Sequence, residues 1–393
     1  MRVLIVSGGT GGHIFPALSV AEEIEARQPD ARFLFVGSMN RGLKGVPLSR
    51  AARFVPLPVV GVPRTVSSEL ASVSFRFMAS FDRCLRRIAS FGPQVAVGFG
   101  NFGSIAPLLA AKFRHVPVAI HEANAIPGRA NLFLSRFSDR VMVSFPRTVG
   151  LFPNGSAEVV GMPVRKEFTK ARNRLGALAN LKLSGTEFTL LVAGGSQGAR
   201  TLNREVCRLL PLLQRLPQRI QLIHLTGKED YSWVKACYER SSPPGDRGGR
   251  RWYVAAFEPR MKMLYDAADL ILARAGASTV AEIIETGTPA ILVPFPHATA
   301  HHQDENAGYL EKNNGAVVLK QRSSPPGRPI IPGLVETLRE LIGDRERLRE
   351  MAQNNRRLAD GCAAGKIVDV LFEIARGEEV AVPRMGQRVT VRA

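Results

Sequence analysis

Short apolar runs alternate with longer amphipathic stretches along most of the chain. The runs are apolar at nearly every position rather than at every second one, which is typical of parallel strands covered by helices on both faces. A first series of predicted strands spans 3–6, 33–37, 95–98, 118–121, 140–144 and 158–160, and a second spans 189–193, 221–226, 252–255, 270–273, 290–293 and 316–319. The pattern predicts an α/β protein with two Rossmann-like, doubly wound parallel sheets.

A polar, basic segment separates the two series of strands. It follows the sequence Gly-Met-Pro-Val-Arg at 161–165 and has few residues that could pack in a core. A length of 393 residues also suits two domains better than one. We therefore place an N-terminal domain at 1–163 and a C-terminal domain at 164–371, and we expect a last helix near 372–393 to pack back on the first domain.

The composition is that of an ordinary globular protein, with 45% hydrophobic and 22% charged residues, but the net charge is +19. This excess fits nucleic acid, an anionic membrane surface or a polyphosphate substrate, and it also fits a merely solvated surface. The basic residues follow no RNA- or DNA-binding motif, so no nucleic-acid partner is expected. The four cysteines form no CxxC pair, which favours a reducing cytoplasm, and no run approaches the roughly 20 apolar residues of a membrane span.

Two glycine-rich turns each follow the first strand of a series. The turn at 7–13 is Ser-Gly-Gly-Thr-Gly-Gly-His, and the turn at 193–199 is Ala-Gly-Gly-Ser-Gln-Gly-Ala. Neither has the Lys-Ser/Thr of a P-loop or the G-x-G-x-x-G spacing of a dinucleotide site. One such turn can be purely steric. Two, each before a predicted helix, predict phosphate binding at helix N-termini and twin domains facing across a cleft, as in GT-B glycosyltransferases.

Three polar clusters follow other predicted strands. The sequence His-Glu-Ala-Asn at 121–124 lies at a strand end and is either part of a site or a helix-capping cluster. In 274–282, small residues allow close backbone approach, and Glu282 either binds ribose hydroxyls or is an ordinary surface residue. The three histidines at 297–302 lack HExxH spacing, so we favour hydrogen bonding to a sugar there and expect no metal.

The segment 72–89 predicts an amphipathic helix. Its apolar face would carry Phe77, Met78, Phe81, Cys84, Leu85 and Ile88. The opposite face is either simply solvated or a contact with anionic lipid headgroups. The residues assigned to that membrane contact are Phe75, Arg76, Arg83, Arg86 and Arg87.

Taken in order, six motifs resemble those of the MurG family of bacterial GlcNAc transferases. They are GGTGGH at 8–13, HEAN at 121–124, GMPVR at 161–165, GGSQGAR at 194–200, RAGASTVAE at 274–282 and HHQDENA at 301–307. The resemblance implies an inverting GT-B enzyme of glycosyltransferase family 28 that needs no metal or other cofactor. It also implies transfer from UDP-GlcNAc to undecaprenyl-linked lipid I, giving lipid II, by a peripheral protein at the cytoplasmic face of the inner membrane, with cell-wall synthesis proteins as further partners.

The resemblance also implies roles for individual residues. His13 is the first candidate for the general base and Glu122 the second. The acceptor diphosphate would lie at Gly9, Thr10, Gly11, His13, Gly100 and Gly103. The donor would be bound by Thr10, Gly11, Gly12, Asn124, Arg165, Ser196, Gln197, Glu258, Ala277, Ser278, Thr279, Glu282 and Gln303.

Several positions depart from the family pattern. The family usually has Gln at Ala123, Gly-Tyr at Asn101-Phe102 and Asn at Met162, and an acidic residue expected within 38–41 is missing. Most of these positions concern the acceptor, so the donor is the firmer expectation. A related GT-B enzyme with another lipid or small-molecule acceptor, and a non-catalytic nucleotide-sugar binding protein, stay open as alternatives.

Overall fold

The structure is a computed structural model that describes residues 1–8, 11–37, 52–56, 69–155, 157–195, 197–213, 215–241, 251–322 and 330–377, with the side chains of 69–74 and 154 left aside. The chain divides into two compact units, Met1–Arg165 with Cys362–Ala393, and Lys166–Gly361. The chain thus returns to the first unit at Cys362, ahead of the boundary expected at 371. Residues 378–393 of the expected last helix lie outside the described residues.

The first unit contains a seven-stranded, fully parallel sheet. Its strands are β1 (Arg2–Ser7), β2 (Arg32–Gly37), β3 (Ala52–Pro56), β4 (Val95–Gly98), β5 (Val118–Glu122), β6 (Arg140–Val143) and β7 (Ala157–Val159), in the order β3-β2-β1-β4-β5-β6-β7. Its helices are α1 (Gly11–Arg27), α2 (Glu69–Phe91), α3 (Ile105–Phe113) and α4 (Arg129–Leu134). Strand β3 was not predicted, because it is a half-exposed edge strand without a continuous apolar run.

The second unit repeats this arrangement with six parallel strands. They are β8 (Phe188–Ala193), β9 (Ile220–Leu225), β10 (Trp252–Ala255), β11 (Leu270–Ala273), β12 (Ala290–Leu292) and β13 (Ala316–Val318), in the order β10-β9-β8-β11-β12-β13. Its helices are α5 (Arg174–Leu181), α6 (Arg200–Leu213), α7 (Tyr231–Ser241), α8 (Met261–Ala267), α9 (Ala277–Thr286), α10 (His302–Lys312), α11 (Leu334–Gly343) and α12 (Arg345–Leu358). The last helix of the chain, α13 (Ala363–Arg376), belongs to the first unit.

Both sheets are buried on their two faces, which explains the continuous apolar runs. In β1, Val3 and Ile5 pack with α1 and α13, whereas Leu4 and Val6 pack with α2 and α3 on the opposite face. Arg140 fixes α13 to the sheet through ion pairs of 3.1 Å with both Glu158 and Glu373. The predicted fold class, two Rossmann-like parallel-sheet domains, is confirmed.

In each sheet the strand order reverses beside the first strand. The switch lies between β1 and β4 in the first unit and between β8 and β11 in the second. Helices connecting strands on the two sides of such a point cover opposite faces of the sheet, which leaves a crevice at the carboxyl ends of the strands. The two glycine turns, which follow β1 and β8, therefore open at the places where α/β sheets bind ligands.

Candidate active site

The first glycine turn is tightly packed against side chains from α1 and from the segment that follows β4. A Cβ at Gly8 would lie 2.9 Å from His13 Nδ1 and would collide with Asn101 Nδ2. A Cβ at Gly100, which has φ +83°, would lie 3.7 Å from His13 Nε2. The His13 imidazole is thus held between two glycines. The predicted site residues Gly9 and Thr10 lie outside the described residues.

His13 is in the first turn of α1, beside the other two predicted residues of that turn, Gly11 and Gly12. Burial lowers the pKa of the His13 imidazole from its ordinary value. The positive end of the helix also disfavours an imidazolium there. The ring is therefore neutral at neutral pH and has the protonation state that a general base requires.

Glu122, at the end of β5, is 4% exposed and both of its carboxylate oxygens are engaged. Oε1 accepts from the backbone N–H of Asn124 at 2.9 Å and from its Nδ2 at 3.3 Å. Oε2 accepts from the N–H of Gly128 at 3.0 Å and from Asn131 Nδ2 at 2.8 Å. These contacts fit the capping interpretation of the His-Glu-Ala-Asn motif, since the carboxylate braces the loop that carries Asn124.

Asn131 is a member of this site that the sequence gave no reason to select, because no motif surrounds it in α4. It is 3% exposed, and its Nδ2 also donates to the backbone oxygen of His121 at 3.2 Å. Its Oδ1 is buried and finds no partner among the described residues. Its Nδ2 would lie 3.5 Å from a Cβ at Gly100, so Asn131 connects the Glu122 loop to the neighbourhood of His13.

The third glycine segment, 98–104, follows β4 and holds a strained residue. Asn101 has φ 79° and ψ 159°, a region that is essentially restricted to glycine and costs a side-chain-bearing residue about 1–3 kcal/mol. Its Oδ1 accepts from the N–H of Gly103 at 2.5 Å. The Gly103 amide, which was predicted to meet the acceptor diphosphate, is therefore already occupied by a side chain of this chain.

Arg165, expected at the donor phosphate, is the last residue of the first unit. Its guanidinium carbon lies 4.8 Å from the centre of the Phe15 ring, over the first turn of α1. This cation–π contact brings a positive charge close to the first glycine turn.

The second glycine turn depends on close approach of backbone to backbone. Gly195 and Gly198 have φ of +84° and +77°, and a Cβ at Gly198 would lie 2.9 Å from the Thr226 carbonyl carbon at the end of β9. A Cβ at Gly194 would lie 2.7 Å from the Ala199 Cβ. Gln197 is exposed at the tip of this turn, and Ser196 lies outside the described residues.

A buried polar network fixes the first turn of α6 beside this loop. Asn203 Nδ2 donates to the Thr226 oxygen and to Asp230 Oδ2, both at 2.9 Å, and Arg200 Nε donates to Asp230 Oδ1 at 2.9 Å. Burial opposes ionisation of Asp230, but hydrogen bonds from Trp233, Asn203 and Arg200 outweigh it and lower the pKa of this carboxyl. The network holds the N-terminus of α6 in place, and a helix N-terminus is suited to an anion.

A second helix N-terminus, that of α9, follows β11 at the same switch point. Ala277, Ser278 and Thr279 form its first turn, where backbone N–H groups have no partner within the helix. The Ser278 hydroxyl is buried and has no partner among the described residues. Glu282 lies one turn further along the helix, so the motif 274–282 brings its polar groups to one helix end.

Gln303 has a defined orientation. Its Oε1 accepts from the N–H of Phe295 at 2.9 Å, and because that N–H can only donate, Nε2 is the atom left for a ligand. Arg274 supports this arrangement, donating to the Val293 and Pro294 oxygens at 3.1 Å and lying 5.6 Å from the Phe295 ring centre. Arg274 lies inside the motif 274–282, but nothing in the sequence of that motif indicated this supporting role.

Glu258, predicted to contact the donor, is 4% exposed and committed to its own loop. Its oxygens accept from Arg260 N, Arg260 Nε and the Tyr253 hydroxyl, each at 3.0 Å. These bonds outweigh burial and lower the pKa of the Glu258 carboxyl. Recognition of a ligand at this loop would therefore involve its backbone rather than the carboxylate.

Helix α2 presents an exposed surface with both apolar and cationic groups. Phe75 is 77% exposed, and Arg76, Arg83, Arg86 and Arg87 are also exposed. Met78 is 60% exposed, so its predicted place on the buried face was wrong. The buried face is formed instead by Cys84 and Ile88, with Phe81 packed at its edge. A cavity of about 390 Å³ between β3 and α2 is lined in part by Arg53, Arg83 and Arg87.

Membrane-spanning helices and metal-binding clusters are both absent from the described part of the chain. No helix there is long and apolar enough to cross a membrane. Within the same residues, no group of three or more His, Cys, Asp or Glu side chains is arranged to hold a metal ion.

Comparison with known proteins agrees with this geometry. The glycosyltransferase family 28 N-terminal domain matches residues 3–143 and the family 28 C-terminal domain matches 189–364. The crystal structure of Acinetobacter baumannii MurG is similar with a TM-score of 0.70 and 27% identity, over 95% of this chain and 99% of that one. Two parallel sheets with glycine turns at their switch points, together with these matches, define a GT-B glycosyltransferase.

The full-length relatives are more specific. A protein of Nitratidesulfovibrio vulgaris (strain DSM 19637 / Miyazaki F) is 39% identical over 383 residues, covering 96% of this chain and 98% of its own. One of Desulfotalea psychrophila is 36% identical over 381 residues, covering 96% and 98%. Both are named UDP-N-acetylglucosamine–N-acetylmuramyl-(pentapeptide) pyrophosphoryl-undecaprenol N-acetylglucosamine transferase. This chain belongs to that family, the MurG family of glycosyltransferase family 28.

The buried ring of His121 makes the stability of the first unit depend on pH. Its Nε2 donates to the Gly161 oxygen at 2.9 Å, and burial lowers its pKa to about 4. The unfolded chain, with an ordinary histidine pKa, binds a proton between pH 6.5 and about 4 that the folded chain does not. Folding stability should therefore fall by about 1.4 kcal/mol per pH unit as the pH decreases through this range.

We expect His121→Gln to remove this part of the pH dependence, because the Gln amide nitrogen takes the place of Nε2 and can donate to Gly161 without titrating. Hydrogen exchange of the β5 amides between pH 4 and 7 measures it. The exposed His115→Asn is the matched control and should keep the wild-type slope. An unchanged slope in His121→Gln would contradict the assignment.

Proposed function

We propose that this protein transfers GlcNAc from UDP-GlcNAc to the C4 hydroxyl of the MurNAc of undecaprenyl-linked lipid I, giving lipid II for peptidoglycan synthesis. The observation that carries the proposal is a glycine turn at the switch point of each sheet, in a chain that belongs to the MurG family. A transferase acting on these two substrates has to bind two diphosphates, that of UDP-GlcNAc and that of lipid I. The two turns supply one anion-binding helix N-terminus for each.

The donor is assigned mainly to the second unit. The N-termini of α6 and α9, with Ser196 and Gln197 at one and Ala277, Ser278 and Thr279 at the other, would bind the UDP diphosphate. Glu282 would accept from ribose hydroxyls. Gln303 Nε2 would donate to a GlcNAc oxygen, because its Oε1 is held by Phe295. The loop at Glu258 would contact uracil through its backbone, and from the first unit Asn124, Thr10, Gly11 and Gly12 would complete the contacts.

The reaction requires that the acceptor hydroxyl loses a proton while it attacks the anomeric carbon, with inversion. His13 would take that proton, since its ring is neutral and lies beside the first glycine turn. Glu122 is the second candidate, but its four hydrogen bonds leave it less able to act as a base. Gly9, Thr10, Gly11, Gly100 and Gly103 would surround the acceptor diphosphate.

The departing UDP gains negative charge, which has to be stabilised for the bond to break. In this proposal no metal or other cofactor takes part. Helix N-termini and the Arg165 guanidinium would bear that charge instead, and they are preorganised because the loops that carry them are fixed by backbone packing and buried hydrogen bonds.

The acceptor's lipid places the reaction at a membrane. We propose that the protein binds peripherally to the cytoplasmic face of the inner membrane through the exposed face of α2, with cell-wall synthesis proteins as further partners there. Phe75 would enter the headgroup region, and Arg76, Arg83, Arg86 and Arg87 would pair with anionic headgroups. The arginine-lined cavity beside α2 supports an affinity for anions at this surface.

The function is tested by incubating the purified protein with UDP-GlcNAc and a soluble lipid I analogue and measuring UDP release. We expect release that depends on the analogue and a product that is larger by one GlcNAc. Diacylglycerol serves as the alternative acceptor. Release that is no faster with the analogue than without any acceptor would reject the proposal, and release with diacylglycerol alone would favour a different lipid substrate.

For the base, we expect His13→Ala to lower kcat by roughly a hundredfold while leaving the KM for UDP-GlcNAc within about twofold. The pH–rate profile should lose its acidic limb, because that limb reports protonation of the His13 imidazole, which the variant lacks. His115→Asn, which changes an exposed histidine of the same unit, is the control. Near-normal turnover of His13→Ala would transfer the role to Glu122.

For membrane binding, we expect Arg83→Glu combined with Arg86→Glu to weaken binding to vesicles containing anionic lipid by about tenfold or more. Higher salt should weaken wild-type binding in the same way. The matched control is Arg345→Glu combined with Arg349→Glu, which reverses two charges on the exposed face of α12. Co-sedimentation measures all three proteins, and equal binding of the two double variants would remove α2 from the proposal.

A further inference from the structure

Asn101 links the first and third glycine segments of the first unit. These segments follow β1 and β4, which are paired, and Phe99 N–H donates to the Val6 oxygen at 2.9 Å at the point where the strands end. From the third segment the Asn101 side chain reaches across to the first, where its Nδ2 occupies the space that a Cβ at Gly8 would need. The side chain therefore lies in the crevice at the switch point.

The backbone conformation of Asn101 is strained, which points to a role for its side chain. Its φ of 79° and ψ of 159° fall in a region that is essentially restricted to glycine. A strained residue persists where the surrounding structure holds it, and such residues concentrate at ligand sites. Here Gly100 before it has φ +83°, and Ser104 Oγ donates to the Gly100 oxygen at 2.6 Å, so the loop is held firmly.

The two ends of the Asn101 amide have different surroundings. Oδ1 accepts from Gly103 N–H at 2.5 Å, which removes that backbone donor from the crevice. With Oδ1 bound to Gly103 N–H, Nδ2 is the amide atom that lies against Gly8 of the first glycine segment, and an amide nitrogen can only donate. No described residue accepts a hydrogen bond from Nδ2. A neutral donor beside a glycine turn and a helix N-terminus is suited to a phosphate oxygen.

We propose that Asn101 Nδ2 is a specificity-determining donor to the acceptor's diphosphate, replacing the Gly103 N–H that its own Oδ1 has covered. The inference rests on the proposed function, because it assumes that the acceptor diphosphate lies at the first glycine turn. In this chain the Asn101 side chain donates to a phosphate oxygen. With glycine at position 101, the Gly103 N–H would be available to donate to that oxygen instead. The ligand class is a diphosphate linked to a polyprenyl chain.

Two substitutions at one position separate the side-chain nitrogen from the loop. Asn101→Asp keeps the acceptor for Gly103 but replaces the donor by a negative oxygen. It should raise the KM for a short-chain lipid I analogue by about 30-fold or more, with the KM for UDP-GlcNAc and the melting temperature unchanged. Asn101→Gly releases the Gly103 N–H toward the same phosphate and should raise that KM by no more than about threefold. Asn314→Asp, another asparagine with positive φ, is the control.

A wild-type acceptor KM in Asn101→Asp would overturn the proposal. Equal losses in the Asp and Gly variants would do so too, since the loop rather than Nδ2 would then govern acceptor binding. A binding measurement keeps the test independent of transfer. In protein labelled with ¹⁵N-asparagine, inorganic pyrophosphate should shift the side-chain NH₂ signals that disappear in Asn101→Asp. Unshifted signals would reject the role of Asn101, whereas shifted signals without any transfer by the wild type would reject the proposed function alone.

Discussion

The site depends on backbone segments that approach one another more closely than any side chain would allow. At both switch points the crevice is lined by glycines whose missing Cβ atoms leave room for a neighbour: His13 and Asn101 at Gly8, and the Thr226 carbonyl at Gly198. These approaches bring helix N-termini to the strand ends and leave their N–H groups directed at the crevice. The polar networks around Glu122 and Asp230 then hold the loops in that position.

The crevices of the two units differ in the charged groups that surround them. In the first, two titratable groups are the His13 imidazole and the Glu122 carboxylate, which accepts four hydrogen bonds, and the Arg165 guanidinium is stacked on Phe15. In the second, the buried Arg274 donates, among the described residues, only to two carbonyls and an amide, and burial lowers its pKa to about 10. Its charge therefore adds to the positive potential at the N-terminus of α9, which is suited to an anion.

Much of the fold could be predicted from the sequence, because strands buried on both faces have to be apolar throughout. Strand β3 could not be predicted in this way, since an edge strand does not have to be apolar at every position. Met78 was misplaced because helical periodicity gives the angle of a residue around a helix but not the width of the face that packs. The candidate site was predicted from glycines and short motifs, which follow the carboxyl ends of the strands.

The sequence was less informative about what individual polar groups do. Nothing in the motif at 121–124 indicates that both oxygens of Glu122 are used by the loop that follows, or that Asn131 supplies one of the donors. The strain at Asn101 is likewise a property of its dihedral angles, which the residue type alone does not reveal. Contacts between residues distant along the chain decide these roles, and such contacts exist only once the sheets have formed.

The return of α13 to the first unit has a consequence for biosynthesis. Ile367 and Leu371 cover the face of the first sheet on which Val3, Ile5 and helix α1 pack, yet they are made only after all of Lys166–Gly361. At common rates of translation, that interval is on the order of ten to forty seconds. During this time the emerging N-terminal sheet lacks its last helix and exposes apolar surface, while the second unit is still being made. The part of the chain made first is therefore the last to be completed on the ribosome.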